Sequence, residues 1–292
     1  MTRQRIRSVM LRGALGAVAL VLVGVLGIGA LRAYERLVTF HPERIEAGEA
    51  IAPPEGGIEV WFPTDAGVRL HGWYFQTPGR PAPATILYLH GNGGNIRHVG
   101  WLGAKLRGMG FDALVFDYQG YGRSEGRMTE ERDVYASAEA AWRFLVETHG
   151  ARADRVVFYG QSLGTTAAVE LATHRPCAAL ILESGLSSAS SLAAHMAPWI
   201  PASLHRFARN RFESARKLRG IRCPVLVSHG DPDSVIPTEE GRKLFAAANE
   251  PRELALFPGV DHNVFGRAGD AYFARLAAFL QRALAAPQTV SP

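Results

Sequence analysis

Arg155-Val156-Val157-Phe158-Tyr159-Gly160-Gln161-Ser162-Leu163-Gly164-Thr165-Thr166-Ala167-Ala168-Val169-Glu170-Leu171-Ala172 is the stretch that decides the fold. Its first five residues read as a short buried strand, and the run from Thr165 to Ala172, closed by Pro176, reads as a helix. A Gly-x-Ser-x-Gly set between a strand and a helix demands a sharp, strained turn that lifts the serine oxygen clear of the backbone. Both glycines are expected to be obligatory, because a Cβ there would collide with the neighbouring strand or helix. The pentapeptide alone is a weak signal, and it occurs twice: Gly122-Arg123-Ser124-Glu125-Gly126 is a second copy. The pattern does not choose between Ser162 and Ser124; only context does.

Outward from this stretch, strands alternate with helices. Residues 58–62 and 68–75 form an expected hairpin around Thr64-Asp65-Ala66-Gly67. Strands are expected at 84–90, 112–117, 178–183, 224–228 and 253–257. Helices are expected from about 95 to 108, over 130–148, and around 239–248 and 269–284. Such alternation predicts a mostly parallel sheet with helices on both faces. Residues 185–222 break the rhythm: they are helix-prone and scatter Leu192, Met196, Trp199, Ile200, Leu204, Phe207 and Phe212 among polar residues. They read either as an ordinary excursion with a core-facing side or as a small cap giving an acyl chain an apolar wall. Cys177 and Cys223 each precede a strand, so parallel neighbouring strands would bring both thiols to one end of the sheet. There they are either two buried thiols or, in an oxidising compartment, a disulfide.

The net charge of +5 resides entirely in residues 1–36, where six arginines face Glu35 alone. The remainder is neutral, which removes the electrostatic basis for nucleic-acid binding. Residues 13–31 form a nineteen-residue run without a charge, enough to span a bilayer core as a helix. Four arginines precede it, so the positive-inside rule places the N-terminus in the cytoplasm and the rest of the chain outside. A cleaved signal peptide is the competing reading, but its apolar core would be about 7–15 residues long and end in an A-x-A-like site. The expected organisation is a basic stub and transmembrane anchor (1–36), a linker (37–57), a catalytic domain (58–285) and a tail (286–292).

A serine nucleophile needs a base, and the base needs an orienting acid. On a strand–turn–helix elbow these follow in the chain order serine, Asp or Glu, His. Five histidines follow Ser162. His174 falls at the end of the helix after the elbow, His195 and His205 fall in the excursion, and His229, which ends a strand and precedes the acid candidates, reads as a structural loop residue. His262, on the loop after the last strand, is left as the base. For the acid, His229-Gly230-Asp231-Pro232-Asp233 follows a strand directly. Asp233 is preferred because the loop must run a few residues past the strand to reach an imidazole. Asp231 is the close rival and Glu183 a third option; Asp261, adjoining the base, reads as a turn residue. The oxyanion donors are expected to be the backbone N–H of Leu163 and that of Asn92, in the glycine-rich loop His90-Gly91-Asn92-Gly93-Gly94. That loop lacks the Gly-Lys-Ser/Thr of a phosphate cradle. Ser124 sits on a loop delivered by no strand, and it reads as a surface residue.

Taken together, Leu89-His90-Gly91-Asn92-Gly93-Gly94-Asn95, the run 117–126, Gly160-Gln161-Ser162-Leu163-Gly164, His229-Gly230-Asp231-Pro232-Asp233 and Asp261-His262-Asn263 resemble the landmarks of α/β-hydrolases, in the expected order over roughly residues 58–285. With its N-terminal apolar run, the chain most resembles the membrane-tethered α/β-hydrolase-domain serine hydrolases. Relatives of that group include depalmitoylases, lysophospholipases and serine-aminopeptidase-like enzymes. The resemblance implies an eight-stranded α/β-hydrolase sheet with a small cap after the sixth strand, a Ser162–Asp233–His262 triad, and a structural role for 117–126. The resulting expectation is a serine hydrolase without metal or cofactor that cleaves acyl esters or thioesters, lipid-like substrates included. A serine peptidase of the same fold and a non-catalytic, membrane-tethered binding protein are the competing readings.

Overall fold

The computed structural model describes residues 3–46, 48–79 and 81–285; the expected tail at 286–292 lies outside them. Eight strands make one sheet: β1 (Gly57–Pro63), β2 (Arg69–Phe75), β3 (Thr85–Leu89), β4 (Asp112–Phe116), β5 (Val156–Gln161), β6 (Ala179–Glu183), β7 (Val225–Asp231) and β8 (Arg252–Pro258). Their order across the sheet is β8-β7-β6-β5-β3-β4-β2-β1. The β1–β2 and β2–β4 pairs are antiparallel and every other pair is parallel. The central strands β3, β5 and β6 are buried along their whole length. That burial explains their continuous apolar runs in place of an alternating pattern.

The first helix, α1 (Arg3–Thr39), precedes the sheet. Its segment Arg12–Glu35 is long and apolar enough to cross a membrane, and none of its most apolar window is buried against the rest of the chain. Then come α2 (Ile96–Gly108), α3 (Glu131–Arg143), α4 (Gly164–Ala172), α5 (Ala189–Met196), α6 (Ser214–Leu218), α7 (Thr238–Ala247), α8 (Val264–Ala268) and α9 (Asp270–Ala285). The helix expected over 130–148 ends as α3 at Arg143, and one π-turn carries on through Phe144–Thr148. Two apolar clusters lie on opposite faces of the sheet. Leu87, Phe116, Phe158 and Leu182 belong to one, and Ile86, Val115, Tyr159 and Ile181 to the other. Neighbouring residues of one strand fall in different clusters because successive side chains leave a strand on opposite faces. Cys177 and Cys223 interact as neighbouring free thiols; burial, then the hydrogen bond to Cys223, pushes the Cys177 thiol well up.

Residues 185–222 contain α5, a 3-10 turn at Ala202–Phe207, and α6. They are fastened to the body by two carboxylates. Glu240 of α7 accepts from the N–H and hydroxyl of Ser187 and from the hydroxyl of Ser191. Glu131 of α3 accepts from the N–H groups of Arg211 and Phe212.

Candidate active site

Four loops at the carboxyl end of the parallel strands build the site. The turn from β5 into α4 carries Ser162 at φ +52°, a left-handed conformation that a residue with a Cβ adopts only under constraint. The constraint is visible in its two glycines. A Cβ on Gly160 would lie 2.4 Å from the Gly164 carbonyl oxygen, and one on Gly164 would lie 1.9 Å from that of Leu89. Ser162 N–H donates to the Glu183 carbonyl at 2.8 Å, and its own carbonyl accepts from Thr165. The backbone of the turn is therefore bonded on both sides of the serine.

The loop after β7 carries Asp233, and the loop after β8 carries His262. Nδ1 of His262 lies 2.8 Å and 3.1 Å from the two Asp233 oxygens. A carboxylate only accepts, so Nδ1 holds the proton and Nε2 is left as the basic nitrogen. The Asp233 side chain is buried. Burial alone would raise its pKa. Hydrogen bonds from His229 and His262, and from the N–H of Ile236, outweigh it and hold the carboxyl well below the usual range. Val235 N–H adds a further bond at 2.8 Å.

His229 is the residue that sequence reasoning undervalued. It is no loop residue: it lies within β7, fully buried, with Nε2 2.9 Å from the Ile236 carbonyl and 3.0 Å from Asp233 Oδ2. Gly241 packs against the other face of the ring, where a Cβ would lie 2.5 Å from Nδ1. His229 thus holds the Asp233 carboxylate from one side while His262 meets it from the other. The one sequence signal for this was its place four residues before Asp233 in the same strand-to-loop segment. The rivals go elsewhere. Asp231 is exposed. Glu183 is buried among Tyr159, Gln161 and the N–H of Phe265, and burial pushes its carboxyl up to about 7. Asp261 accepts from the N–H and hydroxyl of Ser234 and from the N–H of His262, so it ties the acid loop to the base loop.

Ser162 and His262 line one cavity of about 400 Å³ together with Gly91, Asn92 and Gln161. No hydrogen bond joins the Ser162 hydroxyl to His262 among the described residues. Such contacts commonly tighten only when substrate is bound. The apolar wall of this cavity comes from Val99, Trp101, Val235 and Phe265. Residues 185–222 contribute none of its described lining; Glu131 and Glu240 bond their two ends to α3 and α7.

The glycine-rich loop after β3 is the fourth element. A Cβ on Gly91 would touch Ser162 Cβ at 3.3 Å, so the loop backbone runs directly past the serine. Tyr118 donates to the His90 carbonyl at 3.0 Å, and His90 Nδ1 lies 2.7 Å from the Gly91 carbonyl. Burial lowers the His90 pKa, favouring the neutral ring. Because a trans peptide sets its C=O and N–H in opposite directions, fixing the Gly91 carbonyl also fixes the Asn92 N–H. Leu163 follows Ser162 as the residue that caps α4, which sets its N–H at a helix N-terminus.

The run 117–126 is not the surface loop expected for Ser124. Tyr118 and Tyr121 are fully buried and Ser124 is 1% exposed. Ser124 Oγ donates to the Asp117 carbonyl at 2.6 Å and accepts the His71 N–H at 2.9 Å. Asp117 in turn accepts the Ile96 N–H at the start of α2, at 2.8 Å. The loop turns inward because Ser124 and Tyr118 satisfy backbone groups at the sheet end, the His71 N–H of β2 and the His90 carbonyl just after β3, while Tyr121 reaches the Asn92 side chain.

Comparison with known proteins identifies the family and the fold. The family model for serine aminopeptidase (S33) matches residues 80–220. The Mycobacterium tuberculosis protein Rv2307c, described as uncharacterized, is 36% identical over 247 residues, covering 84% of this chain and 86% of its own. Human alpha/beta hydrolase domain-containing protein 17B is 34% identical over 205 residues, 70% of this chain and 68% of its own. Among solved structures, the Pyrococcus furiosus esterase Pf2001 superposes with a TM-score of 0.68 at 18% identity, over 84% of this chain and 99% of that one. The chain belongs to the α/β-hydrolase superfamily.

Proposed function

We propose that this protein is a membrane-anchored serine hydrolase that cleaves carboxylic ester or thioester bonds through an acyl-enzyme. The observation that carries the reading is the joint one at the cavity. Ser162 is held at φ +52° on the rim shared with His262, whose Nδ1 is committed to Asp233. In the proposed reaction His262 Nε2 takes the hydroxyl proton as Ser162 Oγ attacks the acyl carbonyl. The N–H groups of Leu163 and Asn92 receive the charge that develops on the carbonyl oxygen. His262 then gives its proton to the departing alcohol or thiol, and water, activated by the same imidazole, releases the acid and regenerates the serine.

The apolar wall of Val99, Trp101, Val235 and Phe265 suits an acyl chain, and Trp101 and Val235 are themselves exposed. The unburied apolar helix α1 supports single-pass anchoring with residues 58–285 as the catalytic domain, outside the cytoplasm by the arginine asymmetry. An anchored site favours lipid or acylated substrates by proximity.

A fluorophosphonate probe tests the chemistry. The native protein should be labelled, Ser162→Ala should not, and p-nitrophenyl acyl esters should be turned over much faster than aminoacyl amides. Equal labelling of Ser162→Ala would overturn the assignment, and faster amide turnover would make the protein a peptidase.

A further inference from the structure

The segment that leaves α1 does not hang free before the catalytic domain. Glu35 accepts the N–H groups of Arg209 and Asn210 at 2.9 and 2.6 Å, and the Phe40 ring, 6% exposed, meets Phe212 edge-on. His41 and Pro42 then pair in parallel with Gly93 and Gly94 of the oxyanion loop. The Glu43 carbonyl accepts from Gly122 N–H at 2.9 Å and from Asn95 Nδ2 at 3.3 Å, and Ile45 N–H returns to the Gly122 carbonyl at 3.0 Å. Arg44 reaches the Gly126 carbonyl.

At the centre of this strap is the Asn92 side chain. Its Oδ1 accepts the His41 N–H at 3.1 Å and the Tyr121 hydroxyl at 3.0 Å. Asn92 lies between Gly91 and Gly93, and Gly94 has φ +77°. Glycines on both sides leave that backbone without steric restraint of its own. An oxyanion donor works only if it is aimed before the charge develops. The His90 contact with the Gly91 carbonyl restrains one side of this segment from within the loop, and two donors from outside it converge on the Asn92 side chain from opposite directions in the sequence.

We propose that the strap, residues 40–45, is a positioning element of the oxyanion hole: His41 N–H and Tyr121 Oη clamp the Asn92 side chain and so hold its backbone N–H in place. This rests on the serine hydrolase reading above. It makes the chain leaving the anchor part of the catalytic apparatus, since the same few residues that join α1 to the domain hold the loop beside Ser162.

The test uses the full-length protein in detergent micelles, with p-nitrophenyl acetate as substrate and a trifluoromethyl ketone as an oxyanion-forming inhibitor. His41→Pro deletes the N–H donor, and Tyr121→Phe deletes the hydroxyl. Each should lower kcat by about 10–100-fold, the scale of a misaimed catalytic group, with KM within about twofold. Ketone affinity should fall in step with kcat. His41→Ala keeps the N–H and should restore both. A role confined to stability would lower the melting temperature without moving kcat against KM. Wild-type kcat and ketone affinity in folded His41→Pro and Tyr121→Phe would overturn the proposal, as would an equal loss in His41→Ala. If His41→Pro does not fold, Tyr121→Phe decides by the same two readouts. A wild-type protein that neither hydrolyses the ester nor takes a fluorophosphonate label removes the hydrolase reading and this one with it. That result is distinct from an active enzyme whose variants are unaffected.

Discussion

Two copies of Gly-x-Ser-x-Gly, about forty residues apart, meet opposite fates in this molecule. Their glycines are alike in necessity. A Cβ on Gly164 would lie 1.9 Å from the Leu89 carbonyl oxygen, and one on Gly122 would lie 1.8 Å from Asp117 Oδ2. Their serines are not alike. Ser162 is held in the left-handed region and opens on the cavity, whereas the Ser124 hydroxyl is fully occupied by Asp117 and His71. Behind each serine stands a buried acid, Glu183 for Ser162 and Asp117 for Ser124. The glycines therefore mark tight packing, which both turns share. Delivery by a strand into a helix is what leaves one hydroxyl available for chemistry.

The largest test of this contrast is kinetic. Ser162→Ala should lower ester turnover by a factor on the order of 10⁴ or more, while Ser124→Ala should stay within a few-fold. Comparable losses in the two variants would erase the distinction drawn here. The acid loop offers the next effect. Asp233→Asn should lower kcat by about 10³–10⁴-fold by disturbing the imidazole tautomer, and Asp231→Asn should leave it near wild type. The reverse ranking would move the acid to Asp231.

The buried acid behind Ser162 gives a pH signature. Burial raises the Glu183 pKa from 4.5 to about 7, so the folded protein binds its proton more tightly than the unfolded chain does. That contribution is fully present below pH 4.5 and is lost as pH rises to about 7. Glu183→Gln, which mimics the protonated form, should flatten the loss, by up to about 3 kcal/mol between those limits. Urea denaturation at pH 4.5 and 7.5 measures it, and parallel pH profiles would show that Glu183 does not titrate in this window. Asp233, with its lowered pKa, acts in the opposite sense at more acidic pH in both proteins, so it cancels in the difference. The smallest effect belongs to the other serine. Ser124→Ala strands the buried His71 N–H and Asp117 carbonyl, and should cost about 1–3 kcal/mol of stability with activity retained. A stability equal to wild type would mean that water satisfies both groups.

Much of this was legible in the linear pattern. Alternating strand and helix signals located all eight sheet strands, seven of them to within a residue or two and β7 short by three residues at its end, because apolar runs of about five residues bounded by Gly and Pro have few other uses. The pairing of His262 with Asp233 followed from loop reach, since a carboxylate needs a few residues beyond its strand to meet an imidazole. What escaped were contacts between residues whose signals pointed elsewhere. Ser124 looked exposed because charged residues surround it, yet its hydroxyl fills a backbone gap next to β2. His229 looked incidental, yet it bonds the acid. Residues 185–222 read equally as an excursion or a cap, and the described lining of the cavity comes instead from α2, the loop after β7 and α8.

The sequence by itself determined the order of the parts: an apolar helix, a glycine-rich loop, a serine on a strand–turn–helix elbow, a carboxylate and a histidine, each placed by local rules that act over a few residues. The tertiary structure alone decided which of the two serines faces open space, which histidine holds the acid, and that His41 reaches Asn92 across the fold. The physical reason is range. Glycine packing, strand burial and turn geometry are written within one segment. Most of the hydrogen bonds that aim a side chain here join segments about thirty to fifty residues apart, where no periodicity announces them; His229 and Asp233 lie only four residues apart and meet because the chain turns back after β7.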